Sequence, residues 1–163
     1  MQQAIDARRY RSAVASARRL VDMNPESTEM RYLLAEAYRA LGPRTALPSA
    51  RELEPSGRKQ AYANQFKLTA AEDDKRLLSL PEGQAAWSDN QRESEQQYQK
   101  ALALDATNFK AYRGLGLLYE KSGRDQDAVA AYRKYLELAL DPPDRARIQR
   151  HIDAIGQSST NPG

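Results

Sequence analysis

FKAYRGLGLLYEKSGRDQDAVAAYRKYLELAL, residues 109–140, reads as two helices joined at a glycine. Tyr112, Leu115, Gly116 and Tyr119 share one face of the first helix, and Ala128 and Tyr132 share one face of the second. Two antiparallel helices approach closely only where a small residue lets the backbones meet. Gly116 and Ala128 are those small residues here, and Leu115, Tyr119 and Tyr132 are the knobs that fill the space around them. Gly123 stands where the chain must turn, and Asp125 and Asp127 open the second helix, where negative charge suits the dipole.

The spacing Tyr112-x2-Leu115-Gly116-x2-Tyr119, followed by Ala128-x3-Tyr132, resembles the tetratricopeptide repeat, with Tyr in place of the usual Trp. Tyr135 stands where the family has Ala, and Leu140 where it has Pro. A second copy of the pattern lies near the N-terminus. Tyr10, Ala13 and Ala17 fit a second helix closed by Pro25. TEMRYLLAEAYRALG, from Thr28 to Gly42, then supplies a first helix through Leu34, Ala35 and Tyr38, with Arg31 at the aromatic position. Residues 1–25 thus read as the back half of a repeat whose first helix is missing, as in a truncated chain or an excised domain.

The second helix expected after Gly42 does not follow at once. Pro43, Pro48, Pro55 and Gly57 break the segment. The pattern resumes in WSDNQRESEQQYQKALALD, where Tyr98, Ala101 and Leu102 fit it. Residues 43–81 are therefore read as a helical insertion within the central repeat, with a capping box at Thr69 and Glu72. Pro81 is placed to open a long helix running to Leu104. Ile148, His151, Ile152 and Ile155 form one stripe on a last helix, read as a cap over residues 143–155. Residues 157–163 read as a disordered tail. The resemblance implies an all-α, right-handed α–α superhelix of helix pairs, about two and a half repeats in one domain over residues 1–156.

Other chemistries find little support in the sequence. The 163 residues contain no Cys and one His, His151, so disulfides, thiolate metal sites and cysteine nucleophiles are excluded. His151 is read as packing on the cap helix rather than as a ligand. The one Gly-x-Gly, Gly114-Leu115-Gly116, lies within a helix and is read as close packing rather than as a phosphate cradle. The carboxylate pair Asp73-Asp74 points to different helix faces. No catalytic constellation and no cofactor site is expected.

No stretch approaches the roughly 18 apolar residues of a membrane-spanning helix, and the polar start Met-Gln-Gln-Ala-Ile-Asp does not read as a signal peptide. A cytoplasmic location is the default, with a periplasmic one if the chain belongs to a longer exported protein. Net charge is +3, and the excess lies before Pro81, where 14 basic residues face ten acidic ones. Arg8, Arg9, Arg11, Arg18 and Arg19 raise RNA or lipid binding as a lesser reading. Asp6, Asp22 and Glu26 lie close by, aromatic residues are not interleaved with these arginines in the way a single-strand binder needs, and a solvated outer face is preferred. Trp87 is read as a packing residue that anchors the insertion against the repeats.

Family members bind partners in the concave groove lined by successive first helices. By that resemblance the groove residues here are Glu29, Tyr32, Glu36 and Arg39 on one helix and Lys110, Arg113, Leu117 and Glu120 on the next. The mixture suits an extended peptide or helix of a protein partner. Some members clamp acidic chaperone C-termini with Lys, Arg and Asn. Arg113 is placed for that, but Glu36 and Leu117 stand where Asn is required. The expected function is a protein-binding scaffold. The alternative is a non-catalytic recruiting or regulatory domain of a larger bacterial protein, such as a cell-envelope peptidase. Self-association is one way to cover an open end of the repeat stack.

Overall fold

The computed structural model of the chain describes residues 2–43 and 78–159. These form six helices: α1 (Gln2–Met23), α2 (Thr28–Leu41), α3 (Pro81–Leu104), α4 (Phe109–Lys121), α5 (Asp125–Leu138) and α6 (Arg145–Ser159). No strand occurs among the described residues. Each helix packs on the next in order, α1 on α2 through to α5 on α6, and α2 also reaches α4. Most of the expected insertion, including Thr69, Glu72 and the Asp73-Asp74 pair, lies outside the described residues.

Local chemistry sets the helix ends. Ser27 and Asn108 cap α2 and α4 by accepting the amides of Met30 and Ala111 through their side chains, at 3.3 and 3.1 Å. Asp105 accepts both the amide and the hydroxyl of Thr107, which fixes the turn from α3 to α4. Pro81 sits in the first turn of α3, where its missing N–H leaves no internal partner wanting. Gly42 and Gly123 end their helices with φ of +50° and +71°. A side chain is strained in that region, so glycine is the residue that turns the chain there. Asp125 and Asp127 occupy the first turn of α5.

The main core joins α2 to α6 through Ala35, Tyr98, Ala111, Leu115, Tyr119, Ala128, Tyr132, Tyr135 and Ile148. A smaller cluster of Ala17, Val21, Leu34 and Tyr38 joins α1 to α2. Both glycines of Gly114-Leu115-Gly116 are packing positions. A Cβ on Gly116 would stand 2.4 Å from the ring of Tyr132, and one on Gly114 would stand 2.3 Å from Cζ of Tyr98. Gly116 thus seats the partner helix of its own pair, and Gly114 seats the helix before it.

Ser94 has a part that its type conceals. It is fully buried, and its hydroxyl donates to the Ala35 carbonyl at 2.9 Å. In α3, Ser94-x3-Tyr98-x2-Ala101 repeats the spacing of Ala128-x3-Tyr132-x2-Tyr135 in α5.

Trp87 is half-buried, and its ring lies 3.8 Å from where a Cβ on Gly42 would stand. It therefore packs at the end of α2. Asn90 beside it donates to the Gly42 carbonyl. The last helix departs from the sequence reading. It continues through Ser159, so residues 157–159, expected in the disordered tail, are helical. The apolar stripe ends at Ile155, but nothing in Gly156-Gln157-Ser158-Ser159 forces the backbone out of the helix.

Candidate functional site

The eight residues expected to line the groove all lie on α2 and α4, and the structure links the two sets at one place. Lys110 of α4 pairs with Glu29 of α2 at 3.9 Å, and its ammonium stands 5.9 Å from the ring centre of Tyr32. Glu29 and Lys110 each keep about half of their side chain in solvent. The Tyr32 ring packs in turn on Tyr98 of α3, with ring centroids 6.3 Å apart. Burial, and then the charge of Glu36, push the Tyr32 hydroxyl above its ordinary pKa.

The other five residues are engaged in the fold. Glu36 pairs with Arg39 at 2.6 Å and accepts the hydroxyl of Tyr98, to which Arg39 also donates. Burial of Tyr98, and next the neighbouring Glu36 carboxylate, raise the Tyr98 pKa far above its ordinary value. Arg113 pairs with Asp144 at 2.6 Å. Leu117 is half-buried against the main core. Glu120 accepts the Tyr132 hydroxyl at 2.5 Å and meets Nδ1 of His151 at 2.6 Å. His151 thus bridges α6 to α4 beside the Tyr132 ring, with centroids 6.0 Å apart.

The structure adds three residues to this face that the sequence reading omitted: Asp144, Arg147 and His151. They stand 34 residues after Lys110, Arg113 and Leu117, which is the length of one repeat. That period was the available signal, and the polar character of α6 hid it. Asp144 accepts Arg113, Arg147 and the Tyr135 hydroxyl. Burial works against its charge, but the hydrogen bonds from Tyr135 and Arg113, and the charge of Arg113, win. The carboxyl is lowered to about 2. Arg113, Tyr135, Pro143, Asp144 and Arg147 line an open depression of about 590 Å³ between α4 and α6.

Across α2, α4 and α6 the face carries Glu29, Glu36, Glu120 and Asp144 against Arg39, Lys110, Arg113 and Arg147. The two signs alternate and pair, unlike the single-sign stripe that tracks a phosphate backbone. Such a face offers hydrogen bonds of both senses, half-exposed Tyr32 and Leu117, and little long-range field. Among the described residues, no group of three or more His, Asp or Glu side chains is arranged to hold a metal ion, and no helix is long and apolar enough to cross a membrane.

Family models described as tetratricopeptide repeat match residues 2–45 and 109–142, and one described as TPR repeat matches residues 92–123. These matches cover α1 with α2, the second half of α3 with α4, and α4 with α5. Comparison with curated proteins gives no match.

Proposed function

The chain belongs to the tetratricopeptide repeat family, whose repeats generally mediate protein–protein interactions, and from that premise we propose that the face shared by α2, α4 and α6 binds an extended peptide or a helix of a partner protein. The observation that carries this reading is the junction of Glu29, Tyr32 and Lys110. It joins two first helices and sets an aromatic ring beside a solvent-exposed ion pair. An ion pair this exposed contributes little to stability, so a partner can reorganise it at small cost. Arg39, Arg113 and Glu120 are held by Tyr98, Asp144 and His151, and they present the partner with a fixed rather than adaptable pattern of donors and acceptors. The chain acts as a binding scaffold with no catalytic step of its own. The recruiting or regulatory role in a larger protein uses the same face.

The test is capture from a lysate of the source cells, comparing the wild-type chain with a Tyr32→Ser/Lys110→Glu double variant. Both sites are at least partly solvent-exposed, and circular dichroism checks that the helices persist. A protein captured by the wild type and lost by the folded variant supports the reading. A protein captured equally by both places the binding surface elsewhere.

A further inference from the structure

His151 has one ring nitrogen that the fold uses and one that it leaves open. Nδ1 stands 2.6 Å from Oε1 of Glu120, whose Oε2 accepts the Tyr132 hydroxyl at 2.5 Å. A carboxylate oxygen accepts and does not donate, so Nδ1 carries the proton of the neutral ring and Nε2 keeps a bare lone pair. Nε2 has no hydrogen-bond partner among the described residues, and 34% of the side chain is exposed. This opening is a property of the whole face. His151 stands one repeat after Leu117, which matches Glu36 by the spacing Leu34-Ala35-Glu36 against Leu115-Gly116-Leu117. Glu36 and Leu117 also keep part of their side chains in solvent, although further helices pack after both.

Nε2 differs in kind from its polar neighbours. Both oxygens of Glu120 are engaged, and so are both of Asp144, which accepts Tyr135 through one and Arg113 and Arg147 through the other. Arg113 reaches Asp144 through Nε and Arg147 through one terminal nitrogen, and a guanidinium has further N–H groups to give. The α4–α6 half of the face therefore has donors to spare, while Nε2 is an acceptor without a donor from the described chain.

We propose, resting on the binding role of this face, that Nε2 of neutral His151 accepts a backbone N–H of an extended peptide of the partner, and that protonation of this nitrogen releases the peptide. An extended backbone brings N–H groups for Nε2 and carbonyls for the arginines in one strand. A helix has no free N–H beyond its first turn, so the contact selects an extended segment over a helix. Acid reverses the sense of the contact, because the proton goes on Nε2 and a donor then faces a donor. The imidazolium stands beside Glu120 of α4 and one turn after Arg147 of α6, and Arg113 and Arg147 both act on the adjacent Tyr132 hydroxyl of α5. Burial, and then the hydrogen bond to Glu120, push that hydroxyl far above its ordinary pKa, so it remains a donor throughout. Asp144, lowered to about 2, stays charged. Arg150 and Asp153, also on α6, are exposed. The chain has one histidine and no cysteine, so the imidazole titration between about pH 8 and pH 5.5 belongs to His151.

The long-range 1H–15N NMR spectrum of the wild-type chain reads this single imidazole directly. At about pH 8, Nδ1 is expected to be protonated and Nε2 bare. Binding is measured with peptides selected on the wild-type chain at about pH 8 from a phage library of random sequences, and kept where Tyr32→Ser/Lys110→Glu loses them. Their affinity is expected to fall roughly tenfold between about pH 8 and pH 5.5. His151→Gln and His151→Phe, each checked for helicity by circular dichroism, are expected to bind with no such fall. The opposite tautomer in the wild type, binding that strengthens in acid as for an acidic ligand, or a pH step that survives in both variants would overturn the proposal alone. A library that yields no peptide lost by the double variant would overturn the binding role of the face, and this proposal with it.

Discussion

At the residue scale, the fold depends on two glycines that a helix ordinarily disfavours. Gly114 and Gly116 remain because Tyr98 and Tyr132, both fully buried, occupy the space a Cβ would need. The hydroxyls of both rings are also held, that of Tyr98 by Glu36 and Arg39 and that of Tyr132 by Glu120. Gly114→Ala and Gly116→Ala should each cost about 1–3 kcal/mol and lower the melting temperature by roughly 3–10 °C. Helix propensity alone predicts a gain from the same substitutions, so thermal melts of the two variants separate the explanations. The sequence reading found Gly116 through its spacing and attributed Gly114 to close packing without its partner, because Tyr98 lies in the preceding helix pair.

Asp144 gives a second prediction at this scale. Its carboxyl titrates at about 2 in the folded chain, against about 3.9 in an unfolded one. A depressed folded value means that its contribution is complete above about pH 4 and is lost as the pH falls toward 2. Asp144→Asn should therefore cost about 1–2 kcal/mol near neutral pH, since it weakens the bonds from Arg113 and Arg147 at a partly exposed site. Melting temperatures of wild type and variant should converge between pH 4 and pH 2. A constant gap down to pH 2 would mean that Asp144 acts through shape rather than charge.

At the element scale, each helix is stable because its neighbours bury one face. The last helix shows this most simply. Ile148 is fully buried and Ile152 nearly so, both in the main core with Tyr135 and Ala139. Ile148→Asp places a carboxylate in that contact. It should cost more than about 3 kcal/mol and expose the face that α6 covers. Enhanced binding of an apolar dye, with helicity falling in proportion to one helix, is the expected readout. A variant with wild-type melting and no dye binding would show that α6 is not needed as a cap.

Most elements were legible in the sequence because their signals are local. The start of α3 at Pro81, the turn at Gly123 and the stripe of α6 each follow from a few adjacent residues. Ser94 was not legible. Serine is usually exposed, and only the alignment with Ala128 reveals that the backbone of α2 lies against it. The stop of α6 was misplaced for a related reason, since the end of an apolar stripe ends packing but not the helix.

At the scale of the whole molecule, a common face on α2 and α4 followed from the repeat pattern. Its extension onto α6 did not, because Asp144, Arg147 and His151 are polar residues ahead of and within a helix recognised by its isoleucines. Nor did the sequence show how many of these side chains hold one another. Pairing of Arg113 with Asp144 and of Glu120 with His151 depends on helices 31 residues apart being brought together. With both signs paired, partner binding through this face should change little with salt, by less than about tenfold between low and physiological ionic strength. A phosphate-backbone ligand would lose roughly 10³-fold or more over a fourfold rise in salt.

The most direct test of partner binding through this face is site-specific photo-cross-linking in the source cells. A photoreactive residue replaces Lys110, between α2 and α4, or Arg133, exposed on α5. A discrete adduct from position 110 and none from position 133 is the predicted result. Adducts from 133 alone, or equal yields from both positions, would contradict it.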